Sequence, residues 1–255
     1  MNKHVSGASL KDSVSEEEWK LRVELAAAYR MAADNGWDDL IFTHFSVRIP
    51  GPEHHFLLNP FGLLFEEITA SSLVKVDVNG NALQDTNYML NPAGFTIHSA
   101  VHMAREDAHC IIHTHTKEGI AVASLEEGLL PMSQSALSVS HDVAYHAYEG
   151  IVFDGEEKDR LIPNMQDKCS IILRNHGLLT MGKTVAEAFM RMHFLQRACE
   201  AQIMAQSTGQ KIIIPPDHVG ERVHGQTNTV FEMMSALFSD TMVRKAERLD
   251  PSFKD

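Results

Sequence analysis

Apolar residues change their spacing several times along the chain, and each change marks an element. Ser15-Glu16-Glu17-Glu18 has the form of a capping box, in which serine accepts from a backbone N–H and glutamate returns the bond. It opens a helix to about Asn35, with Trp19, Val23, Ala26, Ala27, Arg30 and Met31 on one stripe and Gly36 as its stop. From Leu40 to Asp77 shorter apolar runs take over, namely Phe45 to Ile49, Phe56 to Leu58 and Leu73 to Val78. Pro50-Gly51-Pro52, Asn59-Pro60 and Asn79-Gly80 separate them, which is the pattern of strands joined by tight turns. Asn91-Pro92 supplies a cap and a first-turn proline for a helix to about Arg105. Cys110 to Thr114 is a β-rich run, and a helix from about Lys117 to Ser124 follows it.

Residues 126–152, with Pro131 and several serines, read as a loop before a strand near Val139 to Tyr145. Asp154 to Leu161 has helical spacing, and Ser170 to Leu173 is a buried strand. A second capping box, Thr184-Val185-Ala186-Glu187, opens the clearest helix, with Val185, Phe189, Met192, Leu195, Cys199 and Ile203 on one face and Gly209 past its end. After Pro215-Pro216 a polar stretch leads to an amphipathic helix from about Thr229 to Glu247, placed to cover a neighbour's surface. Without an internal repeat or a low-complexity linker, the pattern predicts a flexible segment 1–14, one domain over 15–210, and a helical extension over 211–255. Interleaved strands and helices predict an α/β layered fold.

Composition narrows the function. The chain has 255 residues with 22 Lys and Arg against 34 Asp and Glu, a net charge of −12 that repels phosphate backbones and argues against nucleic-acid binding. Only Cys110, Cys169 and Cys199 occur, too few for a disulfide framework, so a reducing, cytoplasmic setting is expected. No signal-peptide core or stretch of 18 apolar residues is present, so no membrane association is expected.

Histidine supplies the candidate chemistry. In Ile111-Ile112-His113-Thr114-His115, residues two apart on a strand project from one face. Two imidazoles there either share a metal ion or are two packed histidines, and the local pattern leaves both open. Cys110 points to the opposite face, so a third ligand must come from elsewhere. His176, at the mouth of the run Ile171-Ile172-Leu173 and followed by Gly177, is the candidate, and three histidines with an open fourth position describe a catalytic metal site. His98 and His102, four apart on a helix, either chelate or pack through hydrogen bonds, and the second is the commoner use. His141 and His146, with Tyr145, Tyr148 and Glu149, either line a pocket or belong to a polar loop. No phosphate-cradling glycine loop and no nucleophile elbow occurs.

Four blocks in order resemble the class II aldolase and adducin head-domain family, which includes L-fuculose-1-phosphate aldolase and L-ribulose-5-phosphate 4-epimerase. They are Thr43-His44-Phe45-Ser46-Val47-Arg48; Leu58-Asn59-Pro60-Phe61-Gly62 with Leu73-Val74-Lys75-Val76-Asp77; His98 through Arg105 to His113-Thr114-His115; and Asn175-His176-Gly177-Leu178-Leu179. The resemblance spans about residues 20–210. It implies a three-layer α-β-α sandwich around a largely antiparallel sheet, and homo-oligomers, commonly tetramers, with sites at subunit boundaries. It also implies a divalent ion, usually zinc, with manganese, iron or cobalt as alternatives, held by His113, His115 and His176. In the enzymes that ion stabilises the enediolate formed as a carbon-carbon bond breaks.

The departures point to one branch. The sugar-phosphate aldolases carry an acid/base glutamate where this chain has Gly94, their phosphate-binding Gly-Asn is represented by Thr43-His44, and their paired serines fall on Pro92-Ala93. These changes resemble the adducin-like bacterial branch. Unlike the adducin head domain, this chain keeps all three metal histidines. The expectation is a metal-dependent lyase, cleaving by retro-aldol reaction or decarboxylation a small hydroxy-carbonyl or carboxylated compound other than a typical sugar phosphate. Thr43, His44, Ser46 and His98 are the substrate-binding candidates, and Glu67, Glu118 and Tyr148 are candidates for the unassigned acid/base. The alternative is a non-catalytic, adducin-like oligomeric binding domain.

Overall fold

The computed structural model describes residues 10–150 and 157–255. Seven strands form one sheet: β1 (His44–Arg48), β2 (Phe56–Leu58), β3 (Val74–Val76), β4 (Cys110–Thr114), β5 (Val143–His146), β6 (Ser170–Leu173) and β7 (Gly177–Gly182). Their order is β3-β2-β1-β4-β7-β6-β5. Every neighbouring pair is antiparallel except β5 and β6, which run parallel. The helices are α1 (Leu10–Ser13), α2 (Glu16–Asp34), α3 (Pro92–Ala104), α4 (Lys117–Ala123), α5 (Gln134–Val139), α6 (Lys158–Met165), α7 (Val185–Gln206) and α8 (Asp217–Leu249).

Alternation along the strands divides the interior into two layers. Phe45 and Val47 of β1 and Cys110 and Ile112 of β4 face one side, where Leu25 and Tyr29 of α2 and Phe189, Met192 and Leu195 of α7 complete the larger core. Ile111 of β4 and Leu179 and Met181 of β7 face the other side, against Val101 of α3 and Leu161 and Met165 of α6. The result is the expected three-layer α/β sandwich. His44, Ser46 and His113 share parity with Ile111, so the strand period carries them to the α3 side.

Several elements depart from the sequence reading for local reasons. Ser15 caps α2 by accepting from the Glu18 N–H at 3.1 Å, but the Glu18 carboxylate does not return the bond. It holds Arg22 and Lys75 instead, and Arg22 is fully buried with its guanidinium on the carbonyls of Ala70 and Leu73. The buried face of α2 accordingly runs through Arg22, Leu25 and Tyr29. In the stretch read as a loop, Ser133 accepts from the Ala136 N–H and starts α5. Residues 177–182, not predicted as a separate element, form β7, hairpinned to β6 across Asn175 at φ 57°. The helix expected from Asp154 begins at Lys158, and residues 154–156 lie outside the described residues, as do 1–9 of the segment expected to be flexible. The last helix starts twelve residues earlier than Thr229, and part of its apolar surface packs on its own chain: Phe231, Met242 and Ala246 are buried against α2, α5 and α7, while Val230, Met233, Met234 and Leu237 are exposed.

Candidate metal centre

β4 delivers His113, and the chain one residue past its end delivers His115. His176 closes the turn between β6 and β7. Gly177 allows this, because a Cβ there would collide with the Thr114 carbonyl oxygen and lie 3.1 Å from the His115 ring. The glycine is needed for close approach of β7 to β4, since its φ is not in the left-handed region.

The three rings converge through the same atom. His115 Nε2 lies 2.9 Å from His113 Nε2 and 2.9 Å from His176 Nε2. The outer nitrogens of two rings are engaged: His113 Nδ1 donates to the Leu178 carbonyl at 2.9 Å, and His115 Nδ1 donates to Asp39 Oδ2 at 3.0 Å. A carbonyl oxygen has no proton to give, so Nδ1 of His113 carries the hydrogen and its Nε2 is a bare lone pair. The Asp39 carboxylate orients His115 in the same sense. Burial, reinforced by His115, His176 and His44, holds His113 well below the ordinary histidine range, and burial followed by His115 lowers His176 to about 4. His113 therefore turns a bare Nε2 toward His115 Nε2 at 2.9 Å, a lone pair placed to bind a cation set among the three rings. Among the described residues these three side chains are the group able to hold a metal ion, with donor atoms all within 4.8 Å of one another. The donor set therefore fits a divalent ion, and three histidines leave room in its coordination for a substrate.

The triad lies in the wall of a cavity of about 700 Å³, whose lining also includes Asp39, Phe42, His44, Phe61, Gly94 and Tyr148. The described lining residues include no Lys or Arg. His44 pairs directly across the sheet with His113, the two ring centroids 5.1 Å apart. Burial, then the neighbouring His115 and His176, lower His44 to about 3. Gly94, at the first turn of α3, abuts that ring.

The other substrate-binding candidates lie behind His44. Thr43 and Ser46 are fully buried, and His98 is buried. His44 Nδ1 is 3.0 Å from His98 Nε2, and Ser46 Oγ is 2.7 Å from both His98 Nδ1 and His102 Nε2. The His98 and His102 pair thus brackets a serine hydroxyl. Of the acid/base candidates, Tyr148 lines the cavity, with its ring centroid 6.2 Å from that of His176. Glu67 accepts from the Leu64 N–H in a one-turn helix, Glu118 on α4 accepts from Gln196 on α7, and neither lines the cavity. His146 receives a hydrogen bond from Asn164, and Glu149 pairs with Arg160, so these two are outside the cavity wall. Asp39 was not singled out in the sequence, and its 76-residue separation from His115 offers no spacing by which to find it.

Residues 23–203 match the Class II Aldolase and Adducin N-terminal domain. The chain belongs to this family. A Caulobacter vibrioides protein named for the class 2 aldolases is 51% identical over 248 residues, covering 97% of this chain and 96% of that one. Alpha-adducin of Mus musculus is 51% identical over 186 residues, or 72% of this chain and 25% of the adducin. An L-fuculose 1-phosphate aldolase from Glaciozyma antarctica is 30% identical and superposes with a TM-score of 0.81, covering 94% of this chain and 93% of that structure. Similarity over nearly whole chains in two of these extends the family likeness beyond the matched domain into α8.

Proposed function

We propose that this class II aldolase family member is a metal-dependent lyase that cleaves, by retro-aldol reaction or decarboxylation, a small hydroxy-carbonyl or carboxylated compound without a phosphate group. The observation that carries the reading is the convergence of His113, His115 and His176 through their Nε2 atoms in the wall of a cavity. These residues would hold the ion, and Asp39 and the Leu178 carbonyl would keep two of the rings in the required tautomer. Zinc suits three imidazoles, and manganese, iron or cobalt takes the same donors. When bound, such an ion supplies Lewis acidity toward a carbonyl or carboxylate oxygen, the chemistry needed to cleave the adjacent carbon-carbon bond. The cavity wall contributes the rest: His44 is a polar contact for substrate, and Phe42 and Phe61 add apolar surface beside it. Without a lining Lys or Arg among the described residues, the cavity lacks the usual partner of a phosphate.

Cys110, Cys169 and Cys199 are free thiols, consistent with a reducing compartment, so the reading places the reaction in the cytoplasm. Among the described residues no helix is long and apolar enough to cross a membrane. Assembly into a homo-oligomer belongs to the same reading, supported by the half-exposed Phe42 and Tyr148 at the cavity, and light scattering tests it.

A second reading follows from the likeness to alpha-adducin: an oligomeric binding domain without catalysis. The two separate in one experiment. The zinc-loaded chain and its chelator-stripped form are incubated with a panel of hydroxy-carbonyl and hydroxy-acid compounds, and aldehyde or carbon dioxide release is followed. Release that depends on metal and is lost in His113→Ala supports the lyase. No release from any panel member supports the binding domain.

A further inference from the structure

α8 carries two apolar faces, and its own chain covers one of them. Phe231, Met242 and Ala246 point into the fold. A second stripe lies about a third of a turn around the helix from Phe231. Along it Val219, Val223, Gln226, Val230, Met233 and Leu237 follow one another at alternating intervals of four and three residues. That is the heptad spacing of a seam that packs on another helix, and Asp240 and Arg244 continue it past the apolar part. Met233 is 74% exposed and Leu237 is 54% exposed. Toward the start of α8 the stripe opens into a groove of about 890 Å³, where Val219, Val223 and Val230 face Leu137 of α5 and Phe194 of α7. An apolar strip of this length, open to water, marks a contact surface.

Two charges on the seam identify the occupant. Arg222 near one end and Asp240 near the other are both exposed, and neither is paired within the chain. They stand 18 residues apart on one helix, which is about 27 Å, too far to meet each other in one copy. Two copies of α8 laid antiparallel bring Arg222 of each to the partner's Asp240. The same register sets Val230 against the partner's Met233, and Gln226 against the partner's Leu237. All three pairs are centred on residues 231–232, so each contact is made twice, as a two-fold axis requires. A parallel arrangement would instead oppose arginine to arginine and aspartate to aspartate. We infer that the stripe from Val219 to Leu237 is the docking surface for a second copy of this chain, paired antiparallel about a two-fold axis with Arg222 and Asp240 fixing the register. From Val219 to Arg244 the seam is about 38 Å long between helices about 10–12 Å across. It covers roughly 800 Å² over the two copies, the size of a weak, reversible contact. α8 packs in the layer of α2, α5 and α7, whereas the cavity histidines of β1 and β4 face α3. The pairing is therefore separate from the assembly face proposed at Phe42 and Tyr148.

Sedimentation velocity of the full chain over a range of concentrations reads the pairing. Met233→Glu places a carboxylate at an exposed position in the middle of the seam, and circular dichroism checks that the variant is folded. At high concentration the wild type is expected to reach twice the mass of Met233→Glu, whatever contacts other faces make. Arg222→Glu sets a carboxylate against the partner's Asp240 and is expected to weaken pairing by about tenfold. Asp240→Arg should weaken it to a similar extent. The double variant Arg222→Glu/Asp240→Arg restores opposite charges and should return the affinity to within about threefold of wild type. No contact inside a single copy produces that rescue, because the two positions are too far apart on one helix. Equal masses for wild type and folded Met233→Glu at every concentration would overturn the inference, as would a double variant that pairs no better than either single one. An oligomeric wild type that Met233→Glu leaves unchanged would remove the α8 pairing while the cavity-side assembly stands, whereas a wild type monomeric at every concentration would remove both.

Discussion

Gly94 and His44 occupy one space, for a Cβ on residue 94 would stand 2.5 Å from His44 Cδ2 and 2.6 Å from its Nε2. The clash is steric alone, since Gly94 lies in helical backbone that any residue adopts. Gly94→Ala is therefore expected to cost about 1–3 kcal/mol of stability by overpacking. His44→Ala should relieve part of that cost, giving a coupling of about 0.5 kcal/mol or more in a double-mutant cycle followed by urea unfolding. Additive effects would mean that the ring moves aside freely.

Asp39 reaches His115 from a half-exposed position, so its role in folding is small and its role in orienting a ligand is large. Asp39→Asn is expected to weaken metal binding by about 10–100-fold, measured by competition with a chromogenic chelator. Thermal stability of the metal-free chain should change little. Unchanged metal affinity would contradict the orienting role.

Gly177 should be among the least replaceable residues of the centre. Gly177→Ala sets a methyl against the Thr114 carbonyl oxygen, which pushes β7 from β4 where His115 and His176 meet. The expected result is a loss of more than about 1 kcal/mol in unfolding free energy together with reduced metal content. A variant with full stability and full metal would refute this packing argument.

Acid should destabilise the fold through the buried histidines. His102 has a folded pKa of about 3, below its ordinary value of 6.5, because burial penalises the charged ring. Between those values the unfolded chain takes up a proton that the folded chain refuses. Stability is therefore complete above pH 6.5, falls as pH drops below it, and levels off near 3. One such histidine costs about 2 kcal/mol at pH 5, and burial shifts His98 in the same direction. Urea midpoints at pH 7.5 and pH 5 should show this drop, and His102→Gln should make it smaller. Equal midpoints at the two pH values would contradict the neutral, buried assignment.

The parts of the site that follow from short-range periodicity were legible in the chain. His113 projects with Ile111 because a strand repeats every two residues, and His115 extends that face one residue beyond β4. Ser15, Thr116 and Thr184 each accept a backbone N–H at the start of their helices, where the sequence places α2, α4 and α7. Other features depend on contacts that no local pattern encodes. Ser46 meets His98 and His102 across 52 and 56 residues because β1 lies beside β4 under α3, and Asp39 meets His115 across 76. α5 was hidden by Pro131 and its serines, one of which, Ser133, is its cap. β7 was hidden because its run follows β6 after a three-residue turn and both are buried throughout.

The central claim is that three histidines hold one ion, and elemental analysis tests it most directly. The purified chain is measured beside His113→Ala and His176→Ala, each checked for folding by circular dichroism. The account predicts about one divalent metal per wild-type chain and its loss from both folded variants. A wild-type chain that holds no metal after reconstitution, or folded variants that retain it, would contradict the account.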